Sequence, residues 1–195
     1  KDKETLNLKV GDQAVFLRNT SLTPEDRGKA TFVSLTKSYR STCEIIEFAR
    51  SIKSDQRIQP VERHGETPEA VCCADPEQEL TIIRRKAESF LKSSYATMGI
   101  LCKDFRQANL LYEYLSKQYP VHLLNYESTH FENGIHITSI PLSKGLEFDE
   151  VLIPFVNAGS YQTEFDRNLL YIACTRAMHK LSLTYCGTVT ELLQI

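Results

Sequence analysis

Three short stretches carry residue types suited to ligand chemistry. In LTKSYRST, Tyr39 and Arg40 stand together. An aromatic ring followed by a guanidinium can stack on a base and grip a phosphate from a single turn. A packing tyrosine beside a solvated loop arginine gives the same pair. In ITSIPLSKGLEFDEVLIP, Lys144 and Glu147 offer opposite charges around Gly145, which permits a tight turn or a close backbone approach. The alternative there is a charged turn with an internal Lys–Glu pair. In NLLYIACTRAMHKLSLTY, Arg176 falls near the end of a helical pattern, where the helix dipole favours a cation with or without a ligand. Spacing alone does not separate phosphate binding from a structural role.

The elements that must position these residues are legible as periodicities. From Thr31 onward, β-prone runs alternate with helical patterns: ATFVSL, EAVCCA, TMGILC, PVHLL, GIHITSI, DEVLIPF and KLSLTY are the strand candidates. Ser41 with Glu44 predicts a capping box opening a helix whose stripe is Ile45, Ile46, Ala49 and Ile52. Asp75 before Pro76, with Gln78, predicts a second helix start; Asp104 with Gln107 predicts a third. Thr163 caps a fourth pattern running through FDRNLLYIACTRA. Mostly apolar strands separated by helices predict an α/β domain with a mostly parallel sheet flanked by helices on both faces. The general rule for such sheets puts the ligand beyond the carboxyl ends of the strands, after ATFVSL and GIHITSI.

Composition narrows the classes. Among 195 residues, 42% are hydrophobic and 25% charged, enough apolar material for a sizeable core. The net charge of −2 argues against a protein wrapped in a broad basic face. No run nears the roughly 20 apolar residues of a membrane span, and the first residues lack a signal peptide's apolar stretch. Six cysteines without a C-x-x-C pair read as free thiols in a reducing cytoplasm, with no metal site. Residues 1–30 are less patterned and read as an N-terminal segment or linker; residues 31–195 read as the domain proper.

Taken in order, SYRST, SKGLEFDEVLIP and LLYIACTRA resemble motifs IV, V and VI of UvrD/Rep-type superfamily 1 DNA helicases. The resemblance lies in the second RecA-like domain of that family, called 2A, and implies its RecA-like three-layer fold. It implies that Tyr39, Arg40, Lys144, Gly145, Glu147 and Arg176 face a nucleotide. Tyr39 would stack on the adenine, Arg40 and Arg176 would act as arginine fingers on the γ-phosphate, and Glu147 would accept from the ribose. Thr138 and Ser139 would lie near the backbone of single-stranded DNA. Pro141 departs from the family, which often has His there, so no role of that His is carried over.

No G-x-x-x-x-G-K-[ST] sequence is present, and Asp149-Glu150 precedes an apolar strand where a Walker B pair would follow one. The resemblance therefore implies ATP with Mg held mainly by a preceding RecA-like domain of the same polypeptide, with this chain inactive alone. VGDQAVF loosely resembles the tail of motif III, which would make residues 1–30 a remnant of that preceding domain and Gln13 a γ-phosphate sensor. The short YESTHFENG link, without the large insertion UvrD carries there, resembles the HelD branch and makes RNA polymerase an alternative partner to DNA. A non-catalytic RecA-like protein-binding module is the rival of a different class. The motor reading requires Arg40 and Arg176 side by side, open to solvent, and free of internal ion pairs.

Overall fold

A computed structural model describes residues 7–8, 14–15, 37–38, 40–53, 59–60, 62–128 and 131–193. The chain divides into two units, residues 1–36 and 37–195. In the first, β1 (Asn7–Leu8) and β2 (Ala14–Val15) pair antiparallel. Gln13, the strand expected over ATFVSL and the boundary after residue 30 lie outside the described residues, as does Tyr39.

The second unit contains, in chain order, β3 (Lys37–Ser38), α1 (Cys43–Ile52), β4 (Gln59–Pro60), β5 (Glu69–Cys73), α2 (Pro76–Leu91), β6 (Thr97–Cys102) and α3 (Phe105–Leu115). It continues with β7 (Val121–Leu123), β8 (Gly134–Ser139), a 3₁₀ turn (Ile140–Ser143), β9 (Phe148–Ile153), α4 (Glu164–Cys174) and β10 (Ala177–Cys186). Strands β3 and β4 form a short parallel pair. The main sheet has the order β5-β10-β9-β6-β8-β7 and is parallel throughout.

The parallel sheet follows from the sequence pattern. β6 is buried at all six positions, as a central strand covered on both faces must be. Alternate residues feed two cores. Leu101, Val151 and Ile153 join α1 and α4, whereas Ile100, Cys102 and Leu152 join α2 and α3. This is the three-layer α/β architecture expected of a RecA-like domain. Cys72 is exposed and Cys73 buried, the alternation expected of a pleated strand.

Helix starts were legible where they are local. Asp75 and Asp104 accept from the amides of Gln78 (2.7 Å) and Gln107 (2.9 Å), and Thr163 with Asp166 forms a full capping box. The box expected of Ser41 and Glu44 does not form. Thr42 is the N-cap residue of α1 and makes no side-chain cap bond. Ser41 Oγ instead donates to the Ala177 carbonyl at 2.6 Å, and Glu44 is bound to His64 and Gly65. The helix expected through TRA stops at Cys174, because β10 begins at Ala177 to pair with Phe148. Among the described residues, no helix is long and apolar enough to cross a membrane.

Candidate nucleotide-facing site

Three segments far apart in sequence are tied into one patch by hydrogen bonds between main-chain and side-chain atoms. The Ser41 hydroxyl donates to Ala177 O. The Phe148 amide donates to Arg176 O at 3.0 Å, and Arg176 Nη1 donates to Leu146 O at 3.2 Å. Residues 40, 147 and 176 are therefore neighbours. Arg40 forms an ion pair with Glu147, their side chains being 39% and 41% exposed.

Arg176 sits differently. Its guanidinium is half-buried and donates to Ile172 O (3.3 Å), Leu146 O and Thr175 Oγ1 (3.4 Å). Among the described residues, those partners are all neutral oxygens. Burial lowers the Arg176 pKa from its ordinary value, the Arg40 charge lowers it further, and Glu147 opposes both. Glu147 is thus paired with Arg40, while Arg176 stands near that pair without bonding to the carboxylate.

The turn that carries Glu147 is built by Gly145. Its φ of +94° suits glycine, and nothing lies within 4 Å of where a Cβ would stand. The requirement is for the turn rather than for close approach. Leu146 N closes that turn on Ser143 O at 3.0 Å. Lys144 and Gly145 are exposed, and the carboxylate of Glu147 is paired with Arg40 rather than with Lys144.

Several expectations are corrected here. The patch lies at the amino-terminal edge of β9 and β10, since Phe148 and Ala177 are the first residues of those strands and pair with each other. In a parallel sheet, the connection that leaves one carboxyl edge must return to the opposite edge before the next strand begins, and residues 144–147 and 175–176 are the ends of such connections. Thr138 and Ser139 do lie at a carboxyl edge but are 0% and 4% exposed. Thr138 Oγ1 donates to Leu124 O at 3.0 Å. Arg40 and Arg176 come together as required but are not free. One is ion-paired and the other rests on carbonyls.

Asp149 has a structural role. Its Oδ2 accepts from the amides of Ala96 and Thr97, both at 2.9 Å. Sequence reasoning missed Arg63, whose Nη1 donates to Arg40 O at 3.0 Å. The loop VERHGETP carries no pattern that marks it, and only the three-dimensional contact reveals it.

A UvrD-like helicase C-terminal domain profile matches residues 134–184. The C-terminal domain of a possible DNA helicase from Lactobacillus plantarum WCFS1 superimposes with a TM-score of 0.69 at 31% identity. The match covers 80% of this chain and 92% of that one. No curated protein sequence matches the chain.

Proposed function

Because the chain belongs to the UvrD-like helicase C-terminal domain family and is a DNA helicase motor domain, we propose that it supplies the second half of a divided ATP site. The observation that carries this reading is the convergence of Arg40, Glu147 and Arg176 through the Ser41–Ala177 and Phe148–Arg176 hydrogen bonds.

The residues fit a polyphosphate. Two cations near a single carboxylate leave an excess positive charge; burial, and after it the Arg40 charge, lower the Arg176 pKa, and a bound anion would offset both. Arg176 is oriented in advance by its carbonyl contacts, so little reorganisation is needed to meet developing negative charge. Arg40 must leave Glu147 to do the same. An ion pair this exposed is worth about 0–1 kcal/mol, so a polyanion can displace it. Glu147, once released, can accept from a ribose hydroxyl. Tyr39 is assigned to the adenine by the family resemblance alone, and the exposed Lys144 and Gly145 lead into Glu147.

ATP with Mg would supply the phosphoanhydride energy that drives the motor, its metal ligands lying on the preceding RecA-like domain. An arginine finger contributes ~10³ to 10⁵ in rate, or roughly 4–7 kcal/mol. Closing and opening of the two RecA-like domains would then step the protein along single-stranded DNA.

The test uses the full-length polypeptide. Arg40→Ala and Arg176→Ala should each lower ATP turnover by ~10³ or more, with a much smaller change in KM. The 195-residue chain alone should hydrolyse no ATP. Unchanged turnover in either variant, or turnover by the isolated chain, would overturn the divided-site reading.

A further inference from the structure

The turn that presents Arg40 is not held by its own sequence. Thr42 makes no cap bond, its buried Oγ1 has no hydrogen-bond partner among the described residues, and the Ser41 hydroxyl is committed to Ala177. A helix start without its own side-chain cap has loose amides and an uncertain entry path. Here a loop about twenty residues downstream does the holding. Arg63 grips the turn twice: its carbonyl accepts from Cys43 N at 2.8 Å, and its Nη1 donates to Arg40 O at 3.0 Å.

The next two residues extend the grip. His64 Nδ1 lies 2.8 Å from Glu44 Oε1, and Gly65 N donates to Glu44 Oε2 at 2.9 Å. Gly65 also lies flat against Thr42: a Cβ there would stand 2.6 Å from Thr42 Cγ2. The far side of the Arg63 guanidinium is anchored on β10. Its Nη2 donates to the His179 ring at 2.7 Å, three residues beyond Arg176. The His179 ring is itself stacked on Tyr95, with centroids 5.0 Å apart.

Arg63 therefore ties the Arg40 carbonyl to the strand that follows Arg176. We propose that Arg63, with His64 and Gly65, is a positioning element that sets Arg40 relative to Arg176. This rests on the divided-site reading for its consequence in turnover, but not for its effect on the turn itself. Two guanidinium groups held close are costly in charge, and the Arg63 main-chain and side-chain bonds offset that cost by fixing one geometry.

The experiment compares Arg63→Ala and Gly65→Ala in the full-length protein, the second keeping every charge. Arg63→Ala should lower kcat by ~10- to 100-fold with KM little changed, and Gly65→Ala should produce a milder form of the same loss. If Arg63 acts through Arg40, the double variant Arg40→Ala/Arg63→Ala should be no slower than Arg40→Ala alone. Amide hydrogen exchange supplies a readout independent of catalysis. Protection over residues 41–46 should fall in both single variants, while β6, β8 and β9 keep theirs. Additive kinetic losses, or unchanged exchange over residues 41–46, would overturn the proposal. Should Arg40→Ala leave turnover intact, the divided-site reading fails, and the exchange result still decides whether residues 63–65 hold the turn.

Discussion

In the proposed divided site, Glu147 is both neighbour to Arg40 and competitor to an incoming anion. While it pairs with Arg40, one of the two guanidinium groups is partly neutralised, and any anion must displace the carboxylate. Replacing it by glutamine keeps the shape and removes the charge. The variant gains on two counts. The ion pair, worth about 0–1 kcal/mol at this exposure, no longer has to open. The repulsion between the carboxylate and an incoming phosphate also disappears, which is worth about 1 kcal/mol for unit charges near 4 Å in water and more at a protein surface. The sum is roughly 1–2 kcal/mol, a five- to thirtyfold tighter association.

Inorganic tripolyphosphate isolates this effect, because it has no ribose for Glu147 to contact. Titration of the chain with it at low salt, followed through the Nε–H signals of Arg40 and Arg176, should move both signals together in wild type and in Glu147→Gln. The variant should reach half-saturation at the lower concentration, and the advantage should shrink as salt shortens the screening length from about 10 Å at 0.1 M to 3 Å at 1 M. Folding stability should change by less than about 1 kcal/mol. Equal or weaker binding by Glu147→Gln would refute the claim that the carboxylate competes with the ligand for Arg40, and movement of only one arginine signal would refute the claim that both guanidinium groups meet one ligand.

Two further outcomes follow from the packing and the charges. Gly99→Ala would put a Cβ 2.7–2.9 Å from three Phe148 ring carbons in a fully buried layer; urea unfolding should show a loss of about 1–3 kcal/mol, partly restored by Phe148→Leu. The Glu44–His64 contact should appear as a His64 titration midpoint above the ordinary value of about 6.5, falling back toward it in Glu44→Gln when followed by NMR. The hydrogen bond to Glu44 is the main cause of that rise, as His64 is the main cause of the Glu44 carboxyl lying at about 2. The sign is fixed by both shifts. Glu44's contribution is present above its unfolded pKa and lost as pH falls toward about 2. His64's contribution is present below about 6.5 and lost as pH rises through its raised value. The loop should therefore grip the turn best at mildly acidic pH.

What the sequence disclosed divides along physical lines. Strands and most helix caps are local, because burial on both faces makes a continuous apolar run and an orphan amide takes the nearest acceptor. TMGILC is therefore β6 to the residue, and Asp75, Asp104 and Thr163 cap as expected. Ser41 misled for the reason that makes it informative. Its hydroxyl had a closer claim from Ala177, 136 residues away, and that bond pulls the Arg40 turn against the strand following Arg176. The sequence likewise held both arginines but not the edge they occupy, which depends on where each crossover returns. Nor did it show that strand-end hydroxyls such as Thr138 would be consumed internally.

The ion pair between Arg40 and Glu147 presents the same problem in its sharpest form. Residue types that suit a ligand also suit each other, so an empty binding patch and an internal salt bridge draw on the same side chains. Exposure separates the two. A buried pair would cost several kcal/mol to break, whereas one with both partners about two-fifths exposed costs little. Arg176 reinforces the distinction, because a half-buried cation resting only on neutral oxygens among the described residues retains its full charge for a partner. On the proposed divided-site reading, Arg40 is therefore the movable cation and Arg176 the fixed one.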